Sequence, residues 1–237
     1  MSAPPSIVTS SANLTNEARL SLRFVTTLEI ISVVGSVLLT AWVVVPLQTN
    51  QGRWLEALPG SCALLLMLRS HRLHGETLAQ LGFTTKHFRH AVKLLWGPML
   101  LVTALLLGIG YLTHSLHFGQ RFWLSLLLLP WWGLMQQYIL QGFIYRRLKL
   151  IVGAEKNTLT IFLAALLFAF VHAPNAPLML LTLIGGVVWT WVYERAPNLL
   201  ALGLSHALMS AIAMSSLPAW FLQSMSIGYK YLIYQRF

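Results

Sequence analysis

Aspartate is absent from the 237-residue chain, and charged residues of every kind make up only 9% of it. A soluble domain carries about 25% charged residues. The shortage therefore excludes a water-soluble globule, and with it a disordered chain or a coiled coil, both of which need charge. A single cysteine, Cys62, excludes an internal disulfide framework and any multi-cysteine metal site. What the chain has instead is apolar surface: 57% hydrophobic residues and a mean hydropathy of +0.68. In a soluble protein a net charge of +10 would suggest nucleic acid. Here the basic residues sit between long apolar runs, where they set orientation in a bilayer, and no nucleic-acid partner is expected. The composition defines an all-α, polytopic membrane helix bundle with the lipid bilayer around it.

The first apolar run, about Val25 to Leu47, is too long for a signal-peptide core and has no small-residue cleavage site after it, so it reads as a retained span. Further runs lie at about 54–68, 91–113, 122–145, 158–173, 177–193, 199–216 and 217–234. This gives about eight transmembrane helices, with seven as the alternative count. Several runs fall near or below the ~20 residues of a usual span, so 54–68 and 158–173 are candidates for tilt or re-entry. With the N-terminus inside, fourteen basic residues fall on inner segments, and only Arg53 and Arg121 fall outside, out of 16. That bias places both termini in the cytoplasm. Residues 1–22 read as a polar cytoplasmic N-terminal tail and 23–237 as a single membrane-embedded domain. Asn13-Leu14-Thr15 fits a glycosylation acceptor that a cytoplasmic tail would keep silent.

The one sizeable loop, about 70–90, is basic and holds His71, His74, His87 and His90. Their spacing matches no ligand set, so they read as solvated or headgroup-facing side chains. No repeat relates the two halves of the chain.

Intramembrane polar groups are costly, and each invites a functional reading. The densest group is Gln136, Gln137 and Gln141 in the fourth span, followed by Gly142. Gln137 and Gln141 are four apart and share a helix face, with Gln136 about 100° round. Such amides can simply join helices. In the fifth span, Phe168 and His172 stand one turn apart, ahead of Pro174, Asn175 and Pro177. The seventh carries His206 and Ser210 at the same spacing. Imidazole can take a proton, donate a hydrogen bond or ligate a metal.

The order of these segments resembles the CAAX protease and bacteriocin-processing (CPBP, or Abi) family of intramembrane proteases. Its members carry EExxxR in one helix, FxxxH in the next and HxxxN or HxxxD in a later one. FAFVH at 168–172 fits the second motif, YERAPNLLALGLSHALMS at 193–210 looks like the approach to the third, and QQYILQG at 136–142 stands in the place of EExxxRG. The resemblance covers about 120–212, a CPBP-like core, with TLAQLGF as the usual approach to it. It implies catalytic positions at His172, His206, Gln136 and Gln137, supported by Gln141, Ser210, Phe168 and Asn175. It also implies a bacterial cytoplasmic membrane and a membrane-associated peptide or protein as substrate or partner.

The departures matter as much. Gln136 and Gln137 replace two glutamates, Gln141 an arginine, and Ser210 an Asn or Asp. An amide cannot accept a proton at any useful pH, so Gln136 can position a water but not deprotonate it. Two acids and one base have become three neutral amides, which avoids the ~3–5 kcal/mol cost of stranding a single buried charge. The leading reading is an intramembrane hydrolase with altered or reduced chemistry. Its alternative is a silent pseudoprotease that binds a membrane partner. A transporter ranks below both. No cofactor is expected, since His172 and His206 alone make a poor metal site. Glu29, inside the first run, is a minor candidate for a relocated acid and otherwise snorkels or pairs with Arg23; Glu194 reads as a surface pair with Arg195.

Overall fold

The computed structural model describes residues 16–47, 53–153 and 155–234. Every regular element among them is helical. The long ones are α1 (Asn16–Leu47), α2 (Ala57–Leu73), α4 (Phe88–Leu112), α5 (Gln120–Gln137), α7 (Asn157–Phe170), α8 (Ala176–Arg195) and α9 (Leu199–Ser216). A four-residue α3 (Leu78–Leu81) lies in the basic loop. A π-helical segment, Tyr138–Tyr145, continues α5 into α6 (Arg146–Val152) without a break. The glycosylation acceptor and most of the expected tail lie outside the described residues; α1 begins at Asn16, so residues 16–22 are helical.

Short polar residues set several helix starts. Thr77 and Gln80 form a reciprocal capping box on α3, Asn175 caps α8 through Leu178 N–H, and Asn198 caps α9 through Ala201 N–H. Apolar composition does the rest: α1, α4, α8 and α9 are each long and apolar enough to cross a bilayer, and α7 is a shorter apolar helix. Two thirds of the most apolar window of α9 is buried (67%) against 11% for α4, so α9 is the central helix and α4 faces lipid. This is a multi-pass membrane protein.

An eighth crossing at 217–234 is not present among the described residues. The stretch is broken into α10 (Ala219–Leu222), a 3-10 turn and α11 (Gly228–Tyr234), because Gln223, Ser224, Met225 and Gly228 all take positive φ. It folds back over the end of the bundle that holds Ala173. Gly228 N–H donates to Ala173 O at 2.8 Å, and a Cβ on Gly228 would lie 2.5 Å from Ala41 O.

At the basic end a buried ionic cluster ties four elements together. Glu76 accepts from His71 Nδ1 (2.6 Å), from Arg146 Nε (2.8 Å) and from both Arg147 terminal nitrogens (3.2 and 2.8 Å). Arg147 is fully buried, donates to Ser70 Oγ at 3.0 Å and stands 3.4 Å from Glu29. Three expectations change here. Glu29 pairs with Arg147 rather than Arg23, because α1 packs against α6. His71 is buried rather than solvated, because Glu76 folds back over it. Glu194 pairs with Lys149 (2.7 Å) and Tyr145 rather than Arg195, whose guanidinium stacks on Trp191 and donates to its carbonyl. Burial alone would raise the Glu76 carboxyl pKa. The hydrogen bonds from His71 and Arg147 and the charges of Arg146 and Arg147 outweigh it, holding Glu76 well below the usual carboxylate range.

Candidate functional site

The site forms where α5 meets α9. Two glycines bring these helices together: a Cβ on Gly133 would sit 2.6 Å from Gly203 O, and one on Gly203 would sit 2.8 Å from Leu134 Cα. Only bare backbone permits that approach. One turn beyond Gly133 lies Gln137, and about one turn beyond Gly203 lies His206, so the contact delivers the amide to the imidazole. The close approach comes from Gly133; the nearest atoms to a Cβ on Gly142 belong to the ring of Tyr138 in its own helix.

Gln137 Nε2 lies 3.2 Å from His206 Nδ1. Gln141 Nε2 donates to Gln137 Oε1 at 3.3 Å and to Thr190 Oγ1 on α8 at 3.0 Å. Gln137 and Gln141 are both fully buried, so this amide chain runs through protein, not lipid. It begins in the π-helical segment, whose extra residue per turn is a feature common at functional sites.

The two histidines flank Phe168. Its ring meets His172 edge-on at 4.9 Å and His206 edge-on at 5.8 Å. His172 Nδ1 bonds its own turn at Phe168 O, 2.6 Å away. On its other side His206 stacks against Trp189 at 4.4 Å and 25°, and the Trp189 indole N–H donates to Ser205 Oγ at 2.9 Å.

A cavity of about 640 Å³ opens beside this group, between α1, α2, α5 with its π-helical continuation, and α7. Gln136, Phe168 and His172 line one wall. Val33, Gly60 and Met67 are among the apolar residues opposite, and Glu56 and Lys230 carry the charges in the lining. Gln136 thus faces the cavity while Gln137 and Gln141 face α8 and α9, a division the ~100° step between neighbours dictates.

Two sequence candidates stand apart. Asn175 is fully buried and spends its amide on Leu222 O (2.8 Å) and Ser226 O (3.1 Å), clamping the C-terminal segment. Ser210 is half-buried and makes no side-chain hydrogen bond among the described residues, since His206 already has Gln137. Four residues escaped the sequence reading. Trp189, Thr190 and Ser205 are ordinary apolar-helix residues by pattern, and Glu56 lies at the edge of an apolar run. Among the described residues no group of three or more His, Cys, Asp or Glu is arranged to hold a metal ion.

A multi-pass helix bundle with two histidines and an amide chain at the contact of its central helices is therefore the class of protein defined here. Residues 118–212 match the family model described as type II CAAX prenyl endopeptidase Rce1-like. The match takes in Gln136, Gln137, Gln141, Phe168, His172 and His206. No curated protein and no solved structure matches the chain.

Proposed function

We propose that the protein is an intramembrane hydrolase of CAAX-protease type whose water is activated by histidine in place of glutamate. The Rce1-like match supports the type of activity, and one observation carries the altered chemistry: the two imidazoles are held in complementary forms. His172 Nδ1 faces a carbonyl oxygen, which can only accept, so that nitrogen holds the proton and Nε2 is left as a base. The amide chain runs from Gln141 to Gln137 to His206 Nδ1, which therefore accepts, so the His206 proton sits on Nε2 as a donor.

In this reading Gln136 orients a water in the cavity and His172 Nε2 takes its proton as the hydroxide oxygen adds to the substrate carbonyl. His206 Nε2–H steadies the resulting oxyanion. The tetrahedral intermediate then collapses, the His172 proton leaves with the amine, and a carboxylate remains. A lone histidine has no neighbouring carboxylate to orient it and stabilise its imidazolium, so turnover is slow. The cavity's apolar walls fit a membrane-associated peptide. The excess of basic residues at the α2–α4 loop and α6 favours a cytoplasmic position for that end, in a bacterial cytoplasmic membrane.

The burial of Gln137 favours a second reading, a silent binder, since a side chain wholly committed to His206 cannot touch a substrate. Comparing membrane-protein termini in cells with wild type, with a deletion and with His172→Ala at matched abundance separates the two. A terminus present only with wild type establishes cleavage. An unchanged set of termini, with His172→Ala rescuing the deletion phenotype, leaves the binder.

A further inference from the structure

The cations of this chain divide into two kinds. Arg146, Arg147 and Lys149 are all committed to carboxylates. Arg69, Arg72, Lys86, Arg89 and Lys93 are exposed at the same end of the bundle, and none has a carboxylate partner among the described residues. No acid occurs in the sequence between Glu76 and Glu155. The local acids are also spent: Glu76 is enclosed by His71, Arg146 and Arg147, and Glu194 by Lys149 and Tyr145.

The patch is held firmly. Asn198 Nδ2 donates to Thr84 O (2.5 Å) and Lys86 O (2.9 Å), Leu199 N–H to Gly82 O (2.9 Å) and Tyr193 OH to Leu81 O (2.9 Å). These bonds turn the loop's carbonyls inward and leave its cationic side chains outward. Between the loop and the start of α9 is a groove of about 620 Å³ lined by Thr85, His87, Phe88, Arg89, His90 and Leu200. Helices α4 and α9 run from this groove in the same direction. One to two turns along them, Val92 (37%), Trp96 (65%) and Leu204 (51%) stay exposed, an apolar seam directly under a basic rim.

We propose that this groove is a binding site for the headgroup of an anionic glycerophospholipid in the adjoining leaflet. Lys86, Arg89 and Lys93 meet the phosphate, and the acyl chains lie along Val92, Trp96 and Leu204. A free phosphate would satisfy the rim and leave the seam idle, whereas a lipid uses both. The site is separate from His172 and His206, and it stands whether or not the protein cleaves anything.

The full chain, purified from nanodiscs of phosphatidylcholine mixed with phosphatidylglycerol, is examined by native mass spectrometry for retained lipid, beside Lys86→Gln/Arg89→Gln/Lys93→Gln. Each basic residue near a membrane surface is worth ~1 kcal/mol, or roughly fivefold in affinity. Wild type is expected to retain phosphatidylglycerol in excess over phosphatidylcholine, and the triple variant to lose that excess. Inorganic phosphate should displace the lipid no better than chloride at equal ionic strength. Equal retention by the triple variant, or displacement by phosphate alone, overturns the proposal. Thermal unfolding in phosphatidylcholine alone controls for folding; if the triple variant unfolds early, Lys86→Gln and Lys93→Gln singly are read for the same loss of excess.

Discussion

One continuous helical track, α5 through the π-helical segment into α6, carries two polar constellations of opposite kind. Gln137 and Gln141 are neutral amides, bonded to His206, to each other and to Thr190. Six residues beyond Gln141, Arg147 is buried as a charge, with Glu76 gripping two of its nitrogens and Glu29 beside the third. Burial is complete at both places, so burial alone does not decide which side chains are tolerated. Supply of partners does. At the basic end a loop can fold a carboxylate over the arginine and a second helix can bring another. At the α5–α9 contact, where two glycines press the backbones together, the neighbours are aromatic rings and a threonine hydroxyl. Amides suit that setting because each can both donate and accept without a counter-ion.

Removing one member of the charged cluster tests this contrast hardest. Arg147→Met keeps much of the volume but strands Glu76 with Arg146 and leaves Glu29 without its pair. A loss of about 3–5 kcal/mol is expected, read as a steep drop in membrane accumulation and unfolding temperature. Restoring neutrality with Arg147→Met/Glu29→Gln should recover part of it. No recovery would mean that the cluster acts through shape rather than charge.

The neutral seam should cost less to break. Gln137→Leu leaves His206 Nδ1 and one N–H of the Gln141 amide without a partner, a penalty of about 1–3 kcal/mol for unsatisfied buried groups. If the complementary forms of the imidazoles matter to the reaction, activity falls further than stability, because His206 is then free to take the other tautomer. Equal losses in the two would reduce Gln137 to a packing residue.

How far such an arrangement can be read from residues alone differs between the two regions. The FAFVH segment, His206 and the one-face pairing of Gln137 with Gln141 are local patterns, and the helix period turns them into geometry directly. Trp189 and Thr190 carry no such mark, since their roles depend on the angle at which α8 packs on α9. The charged cluster was hidden for a related reason. His71, Arg146 and Arg147 have the spacing of ordinary membrane-flanking residues, and their burial comes from Glu76 folding back after α2. The break within 217–234 is partly legible, since Pro218 and Gly228 stand in the sequence, but Gln223, Ser224 and Met225 turn left-handed with neither proline nor glycine among them.

A third experiment uses pH. The Glu76 carboxyl is held below its ordinary value of roughly 4.3, so in the folded state it stays ionised where the unfolded chain would already be protonating. The stability it contributes is therefore full above that value and lost as pH falls toward its folded value. The unfolding temperatures of wild type and Glu76→Gln should differ most near neutrality and converge in acid. The amide seam, with no group that titrates as a carboxylate, should show no such convergence when Gln137→Leu is compared in the same way.

The smallest structural effect is expected where the chemical one is most informative. Gln136 lines the cavity and is only half-buried, unlike Gln137, so Gln136→Glu places a carboxylate on the cavity wall and should cost less than the ~3–5 kcal/mol of a fully buried, unpaired charge. That carboxylate lies on the same cavity wall as His172 and restores an acid to the position the amide occupies. If histidine already activates the water slowly, a second proton acceptor on the same wall raises the yield of the His172-dependent terminus with little change in the unfolding temperature. A folded Gln136→Glu protein with no new terminus, in a chain whose His172→Ala form is also functional, would show that the cavity holds a partner rather than a substrate. A misfolded one would show that even the water-facing edge of this seam cannot carry a charge without an arginine at Gln141, and the double change Gln136→Glu/Gln141→Arg would then be the form expected to fold.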